Sequence, residues 1–403
     1  MSLTEAELLD DIRQRLFTPT RSANRHAIGL ELELIPIHKS TRNRALATTD
    51  HSVSTADVLS RLAQRERWRE ESIGGDPPSW NTEGGARISF EPGGQIEIST
   101  APQPTASEVI DSTQRLVTAI RGAMSSAGIK LVARGVDPYN DIEAVPLQLH
   151  RERYTGMTRY FDTIGPAGVR MMRQTAALQI NLERGGDPKS RWRLLNSLAP
   201  IVVALFANSR QYARKRTEWA SYRAQLWRTL DPSRTGIIYD ETDHVERYLR
   251  FALDATAMRS GDGDVAYRAF REWMAESAVG REDWLFHLST LFPEVRPKEF
   301  FELRSADTID PDALAAPVVF ITGLVYDEEG AHKAIKLIGA PSEKLLERAG
   351  RLGLADPEIR RIASRLVVLA LDGGRRLGSD YLRRSHLESA YKYFATALAG
   401  NDI

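Results

Sequence analysis

Alternating hydrophobic and polar positions predict several short β-strands, each with one apolar and one polar face. In HAIGLELELIPI, Leu30, Leu32 and Leu34 alternate with Glu31 and Glu33, which is the two-residue period of a strand. The segment RISFEPGGQIEIST, residues 87–100, reads as two short strands around a Pro-Gly-Gly corner. The same period recurs in ALQINLE, residues 177–183, and in KEFFELRSAD, residues 298–307.

Apolar residues at helical spacing predict helices around these strands. The helical segments are residues 4–17, 105–127, most of 188–280 and 311–400, and a turn-rich segment at 229–242 interrupts the third. Thr4 is a candidate N-cap of the first helix. We find no internal repeat and no linker of biased composition, so we expect one α+β domain over residues 1–403, with a helical C-terminal part from about residue 331.

Composition narrows the functional classes. The 54 basic and 54 acidic residues balance, which disfavours a general nucleic-acid or acidic-membrane binder. No cysteine is present, so disulfides, thiolate nucleophiles and thiolate metal ligands are excluded. The start of the chain lacks the pattern of a signal peptide, and the longest apolar run, residues 313–326, is too short to span a membrane. We therefore expect a cytoplasmic protein that has no membrane partner.

The polar faces of the strands carry more acids than a solvated face requires. Glu31 and Glu33 share a face, with their β-carbons about 7 Å apart, while Glu97 lies on the polar face of its strand, and Glu302 and Arg304 share another. A half-buried strand with a solvated face explains each strand alone. Together the acids repel one another, so a cation is expected, and carboxylate oxygens suit Mg²⁺. The pattern indicates metal-assisted phosphoryl transfer.

No competing catalytic motif is visible. The chain has no Walker loop, no glycine-rich dinucleotide motif, no His-Glu-x-x-His and no nucleophile elbow. His287 lies in an apolar helical segment and reads as a core histidine. The Gly-Gly corner reads as a turn, with a backbone phosphate cradle as the alternative.

Ordered sequence blocks resemble one enzyme family. They are RISFEPGGQIEISTAP, MMRQTAALQINLE, LWRTLDPSRTGIIYD, VERYLRFALD and HLSTLFPEVRPKEFFELRSAD, followed by FITGLVYDEEG. In this order they resemble glutamate–cysteine ligases of the plant-type group, from about Gly29 to Gly330. The resemblance implies a glutamine-synthetase-like fold, in which a curved, mainly antiparallel sheet forms a funnel covered by helices.

The resemblance also implies a reaction. ATP phosphorylates the γ-carboxylate of glutamate, and the amine of cysteine displaces phosphate to give γ-glutamylcysteine, ADP and phosphate, a step of glutathione biosynthesis. Small-molecule substrates and Mg²⁺ follow from it, while nothing indicates the oligomeric state. Three alternatives stay open: a ligase with another amine acceptor, a guanidino-type phosphotransferase on the same fold, and a non-catalytic binding relative.

Site residues are transferred from the family by position. The metal ligands would be Glu31, Glu33, Glu97 and Glu302, and Arg304 would stabilise the transferring phosphoryl group. Gln179 and Asn181 belong to the cofactor site; Gln179 stands where distant relatives have a metal-binding histidine, and its amide would bind metal or nucleotide.

Three further residues are assigned to the substrates. Arg223 or Arg234 would clamp the α-carboxylate of glutamate, with a surface ion pair as the alternative for each. Glu91 would orient a neighbour or the substrate amine. The chain departs from the plant pattern at Arg173 and Gln174, and at Ala176, where Ala replaces a regulatory cysteine.

Overall fold

A nine-stranded antiparallel sheet forms the centre of the molecule. The structure, a computed structural model, describes residues 3–20, 26–49, 53–72, 74–261 and 266–400. The strands of this sheet are β1 (Ile28–His38), β2 (Arg69–Glu71), β3 (Ser79–Asn81), β4 (Arg87–Phe90), β5 (Ile96–Ser99), β6 (Ile129–Val132), β7 (Ala177–Leu182), β14 (Val295–Pro297) and β15 (Phe301–Asp307). The strand order is β14-β15-β7-β1-β5-β4-β3-β2, and β6 pairs with the far end of β1.

Three two-stranded pairings lie outside this sheet. They involve β8 (Gln211–Tyr212) with β9 (Lys215–Arg216), β10 (Thr235–Gly236) with β13 (Phe292–Pro293), and β11 (Thr256–Ala257) with β12 (Arg268–Ala269). The pairing of β10 with β13 is parallel. Helical spacing in residues 188–280 did not predict the short strands β8 to β12, because two-residue strands are too short to show a period.

Helices cover the sheet. They are α1 (Glu5–Asp11), α2 (Thr55–Glu66), α3 (Ala106–Ser126), α4 (Glu152–Ile164), α5 (Pro166–Gln174), α6 (Pro188–Leu205), α7 (Tyr222–Leu230), α8 (His244–Asp254), α9 (Phe270–Glu276), α10 (Arg281–Ser289), α11 (Ala315–Val325), α12 (Glu328–Ile338), α13 (Glu343–Leu352), α14 (Pro357–Arg376) and α15 (Arg384–Leu398). A π-helical turn over Ile12–Leu16 extends α1, and 3-10 turns cover Pro311–Ala313 and Gly353–Ala355.

The main sequence expectations for these elements are confirmed. Thr4 caps α1 in a capping box with Glu7. The Pro-Gly-Gly corner joins β4 to β5, which pair antiparallel. The turn-rich segment at 229–242 separates α7 from α8. His287 is buried, and its Nε2 lies 2.7 Å from the carbonyl oxygen of Ala252.

Strand β1 occupies the middle of the sheet because it pairs with three neighbours. Its alternate residues Leu30, Leu32 and Leu34 are fully buried, and α3 packs against β1 and β6 while α6 packs against β15. The apolar face of the sheet therefore contacts helices, which leaves Glu31 and Glu33 on the opposite face.

One hydrophobic cluster includes residues from Leu8 in α1 to Phe394 in α15. The C-terminal helices thus share a core with the sheet, and this supports our proposal of a single domain over residues 1–403 with a helical part from about residue 331. In the part of the chain that the structure describes, no helix is long and apolar enough to cross a membrane.

Glycines permit close packing among the C-terminal helices. A Cβ atom at Gly373 in α14 would overlap the carbonyl oxygen of Gly323 in α11, and a Cβ atom at Gly323 would overlap the carbonyl oxygen of Ala370. A Cβ at Gly330 in α12 would meet the same Gly323 oxygen. Because the overlapping atoms belong to the backbone, a change of side-chain rotamer cannot relieve the overlap.

We predict that Gly373→Ala lowers the free energy of unfolding by about 2 kcal/mol or more, the cost of forcing packed helices apart. Gly122→Ala is the matched control, since Gly122 is exposed within α3 and a Cβ there meets nothing within 4 Å. The control should stabilise the protein by about 0.5–1 kcal/mol through helix propensity. Urea denaturation of both variants measures the two changes, and equal effects would contradict the packing argument.

Candidate active site

A cavity of about 240 Å³ lies on the polar face of the central sheet. Strands β1, β5, β7 and β15 each contribute polar side chains to its wall. Helices α4, α5 and α7 contribute larger side chains, among them Arg153, Met171 and Trp227. Among the residues predicted from sequence, the cavity wall includes Glu31, Glu33, Glu91, Glu97, Gln179 and Arg304. A half-buried strand with a solvated polar face therefore does not describe these strands, because their polar faces enclose a common cavity.

Three carboxylates converge inside this cavity. Glu33 and Glu97 are direct cross-strand partners on β1 and β5, and Glu91 follows β4 at the Pro-Gly-Gly corner. One oxygen from each of these three residues lies within 4.8 Å of the others. Glu31, two residues before Glu33 on the same face of β1, also lines the cavity. We call Glu31, Glu33, Glu91 and Glu97 the acid cluster.

Burial raises the pKa of every member of the acid cluster. It is the largest cause for Glu31, whose pKa rises to about 7 with further contributions from Glu302 and Glu97. The pKa of Glu91 lies well above its ordinary value because of burial and of Glu97 and Glu33. Burial also raises the pKa values of Glu33 and Glu97. Such shifts mean that the charged cluster is unfavourable without a compensating cation.

Hydrogen bonds satisfy only part of the acid cluster. Ser89 Oγ donates to Glu97 at 2.8 Å, the backbone N–H of Ala177 donates to Glu33 at 2.8 Å, and Asn181 Nδ2 donates to Glu31 at 2.9 Å. Within the described residues, no lysine, arginine or histidine forms an ion pair with any of the four acids. The donor set therefore fits Mg²⁺, which takes oxygen ligands in octahedral geometry at about 2.0–2.1 Å.

Glu302, the fourth predicted metal ligand, is placed differently. Its carboxylate is fully buried and pairs with Arg296 at 2.5 Å, Lys298 at 3.1 Å and Arg304 at 3.1 Å. Burial alone would raise the pKa of Glu302, but these three cations outweigh it and hold the pKa well below its ordinary value. Glu302 therefore differs from the acid cluster in being paired with protein cations. Its negative charge nevertheless helps to raise the pKa of Glu31.

Arg304 connects the two groups of charges. Its Nη1 donates to Gln179 Oε1 at 2.5 Å, and Gln179 Nε2 donates to Glu33 at 3.2 Å. The Nε of Arg304 is buried and has no hydrogen-bond partner among the described residues. Asn181 Oδ1 has no partner there either. Arg304 lines the cavity, so its unsatisfied Nε is available to a ligand there, whereas Asn181 is not part of the cavity wall.

The two predicted substrate arginines lie in different places. Arg223 Nη2 donates to the carbonyl oxygen of Arg304 at 2.7 Å, and its guanidinium lies 4.4 Å from the ring centroid of Trp227, which lines the cavity. Arg234 is fully buried away from the cavity wall. Its guanidinium donates to Asp231 at 2.7 Å and to the carbonyl oxygens of Thr290 and Thr256. The structure thus brings Arg223 near the acid cluster and does not bring Arg234 there.

A buried ion pair positions the Pro-Gly-Gly corner. Arg44 and Asp137 have fully buried side chains and pair at 2.8 Å, and Arg44 Nη1 donates to the carbonyl oxygen of Gly93 at 3.0 Å. Gln148 Nε2 donates to the same oxygen at 2.7 Å. The Gly93 N–H is bonded to Gln95 Oε1 at 3.0 Å and the Gly94 N–H to the Glu91 carbonyl oxygen at 2.7 Å. The corner is therefore a turn that fixes Glu91, and its amides are occupied.

Several residues at this site were not among the site residues predicted from sequence. Arg296 faces Glu302 directly across the β14–β15 hairpin, and Lys298 follows in the same VRPKEFFELR segment; strand alternation read on both sides of the hairpin would have indicated both. Arg153 and Tyr154 enter the cavity wall from α4. No sequence signal singles out Arg153, because the sequence pattern predicts no element over the residues of α4.

Comparisons with known proteins agree with this architecture. A glutamate–cysteine ligase of Francisella tularensis, solved in complex with AMP, superposes with a TM-score of 0.54 at 12% identity, covering 93% of this chain and 82% of that one. The chain therefore has a glutamine-synthetase-like fold, as the family resemblance implied.

The family assignment comes from sequence. The model of glutamate–cysteine ligase family 2 matches residues 27–400. A glutamate–cysteine ligase EgtA of Mycolicibacterium smegmatis is 32% identical over 78% of this chain and 77% of its own length. A chloroplastic glutamate–cysteine ligase of Brassica juncea is 30% identical over 93% of this chain and 76% of its own length. The chain belongs to glutamate–cysteine ligase family 2 and is an enzyme of that class.

The acid cluster predicts a metal-dependent stability. Because the folded-state pKa values lie above the ordinary carboxyl value, folding binds protons, and the free energy of unfolding without Mg²⁺ should fall as pH rises from about 4.5 toward 7. Mg²⁺ should raise the melting temperature at pH 8, with about 2.7 kcal/mol of stabilisation at a concentration of 100 Kd. Glu91→Gln should melt higher than the wild type without Mg²⁺ and lose most of the Mg²⁺ response.

Glu218→Gln is the control, since Glu218 is exposed and its loss should alter neither melting curve. Differential scanning fluorimetry with and without Mg²⁺ measures all three proteins. A wild-type melting temperature that does not respond to Mg²⁺ would contradict a metal site at the acid cluster.

Arg304 should act mainly in the transition state. Arg304→Ala leaves Glu302 paired with Arg296 and Lys298, so the fold should survive, while kcat for the ligase reaction should fall by roughly two orders of magnitude or more. Arg304→Lys should restore only part of the rate, because an ammonium cannot reproduce the planar fork. Steady-state kinetics beside a melting curve decide the matter: an unchanged kcat with a lowered melting temperature would make Arg304 structural.

Proposed function

We propose that this enzyme is an ATP-dependent ligase that joins the γ-carboxylate of glutamate to the amine of cysteine, giving γ-glutamylcysteine, ADP and phosphate. The proposal rests on the acid cluster, whose buried carboxylates line one cavity together with Arg304. This cavity lies on the central sheet of a chain that belongs to a ligase family. The unpaired acids alone would repel a phosphate, so they require a bound cation. A metal ion held by these acids would in turn bind the phosphates of ATP.

The chemistry has two transfers. A γ-carboxylate oxygen of glutamate attacks the γ-phosphorus of ATP, and the bond to ADP breaks. The cysteine nitrogen then attacks the carbonyl carbon of this acyl phosphate, phosphate leaves, and the nitrogen loses a proton. Both steps pass through states with extra negative charge on oxygen, which positioned cations stabilise.

We assign Mg²⁺ to Glu33, Glu91 and Glu97, with Glu31 beside them. When bound, Mg²⁺ would neutralise phosphate oxygens and orient them for in-line transfer. This changes the role proposed for Glu91, which sequence reasoning assigned to a neighbour or to the amine, because its carboxylate lies within 4.8 Å of the other two ligands. Glu302 then serves to orient Arg304 and Arg296 through its ion pairs.

We assign the remaining roles to arginines and to two amide side chains. Arg304, with its unsatisfied Nε, stabilises the transferring phosphoryl group, and Gln179 and Asn181 contact metal or nucleotide beside it. Arg223 is the better placed of the two predicted clamps for the α-carboxylate of glutamate, since Arg234 spends its donors on Asp231 and two carbonyl oxygens. Arg153, which lines the cavity and whose Nε is also unsatisfied, adds a second clamp.

The acceptor amine rests on the family. The similar proteins include chloroplastic glutamate–cysteine ligases and EgtA, so cysteine is the acceptor we propose, while glutathione biosynthesis and a cytoplasmic location stay predictions. A different amine remains the principal alternative, and a phosphotransferase without ligation is the second.

A reaction with an amine panel tests the proposal. Purified enzyme with ATP, Mg²⁺ and glutamate is given cysteine or one of several other amino acids, and products are measured by mass spectrometry together with phosphate release. We expect γ-glutamylcysteine and one phosphate per amide bond. An amide with another amine but none with cysteine would replace the acceptor, and a phosphorylated small molecule without an amide would support the phosphotransferase.

A further inference from the structure

A second and larger cavity lies away from the acid cluster. It has a volume of about 850 Å³ and shares no wall residue with the cavity described above. Its wall carries Arg134, Arg210, Arg214, Arg216 and Arg360, and we call it the arginine cavity. These residues come from the loop after β6, from the segment around the β8–β9 hairpin and from α14.

The charges of this cavity are unbalanced. Among the described residues of its wall, Asp310 is the one acid, and the Asp310 carboxylate lies 3.4 Å from Arg121, outside the cavity wall. In the described ranges, none of the five arginines of the arginine cavity forms an ion pair with a carboxylate. Such a concentration of unpaired guanidinium groups in a concave site attracts anions.

Hydrogen bonds fix part of the wall of the arginine cavity. Asn208 Nδ2 donates to the carbonyl oxygens of Ala133 and Thr308, and the Asn208 N–H donates to Asp307 at 2.8 Å. Arg360 Nε donates to the carbonyl oxygen of Leu354 at 2.7 Å, which holds its guanidinium at the wall. A preorganised wall lowers the entropic cost of binding a ligand.

The tip of the β8–β9 hairpin is strained. Ala213 has φ 46° and Arg214 has φ 68°, and two consecutive positive φ angles are the requirement of a type I′ turn, which Asn-Gly meets without strain. The Arg214 N–H donates to the carbonyl oxygen of Pro138 at 2.7 Å and so holds the tip in place. The sequence keeps an arginine at a position where a side chain is unfavourable, and this places Arg214 at the cavity.

The floor of the cavity indicates the kind of anion. Leu205, Ile309, Leu354 and Tyr393 contribute apolar surface, and the volume is that of a site for a small organic ligand. Planar guanidinium groups bind phosphate oxygens in pairs. We propose that the arginine cavity is a binding site for a small phosphorylated metabolite that carries an organic body between or beside its phosphates.

The balance of charge over the whole chain separates this ligand from a nucleic acid. The protein has 54 basic and 54 acidic residues, so the chain lacks the overall excess of positive charge that accompanies an extended basic surface for nucleic acid.

Calorimetric titration of the whole protein tests the site independently of the ligase reaction. The buffer contains EDTA and no Mg²⁺, and the probes are inorganic phosphate, pyrophosphate and a sugar bisphosphate. We expect saturable binding, tightest for the sugar bisphosphate, and at least tenfold weaker binding by the double variant Arg214→Gln/Arg216→Gln. The control Arg361→Gln/Arg365→Gln changes two exposed arginines of α14 outside the cavity wall and should bind like the wild type, as should Arg304→Ala.

Melting curves first establish that the variants are folded. Binding that is unchanged in the Arg214/Arg216 variant, or lost in Arg304→Ala, would place the anion elsewhere and overturn the proposal. Absence of saturable binding by the wild type would do the same. A single-stranded oligonucleotide that binds more tightly than every small probe would assign the arginines to a nucleic acid instead.

Discussion

The site depends on four carboxylates that share one buried space without a protein cation paired to them. In the described part of the chain, Arg296, Lys298 and Arg304 pair with Glu302 and not with the acid cluster, which accepts hydrogen bonds from four neutral groups. Burial of such a set raises each pKa and weakens the fold unless a cation enters. The arrangement is costly as a structural device, and this cost supports the proposal that a metal ion carrying phosphate binds there.

Other parts of the fold hold these acids against their mutual repulsion. Strand β1 is paired on both sides, so Glu31 and Glu33 cannot move away without breaking the centre of the sheet. The corner that carries Glu91 is fixed by the buried pair of Arg44 and Asp137, which bonds to the corner itself through Gly93. The fold supplies the rigidity, and rigidity keeps ligands placed before the substrates arrive.

Strand alternation predicted the parts of the site that lie within regular strands. Leu30, Leu32 and Leu34 identified the buried face of β1 and so placed Glu31 and Glu33 together on the other face. The position of Glu91 could not be predicted in this way, because a turn has no period and its geometry depends on contacts from Arg44 and Gln148, distant in sequence. The pairing of Glu302 with Arg296 was missed because it follows from the register of the β14–β15 hairpin, which places the two residues opposite each other. The buried state of Arg234 depends on tertiary contacts that residue type does not reveal.

We expect a divalent cation to bind among the carboxylates of the acid cluster. Crystals grown with Mn²⁺ in place of Mg²⁺ allow the ion to be located by anomalous scattering. We expect an anomalous peak within bonding distance of oxygens from Glu33, Glu91 and Glu97. A fully occupied Mn²⁺ elsewhere in the cavity, with these three carboxylates unbound, would contradict it.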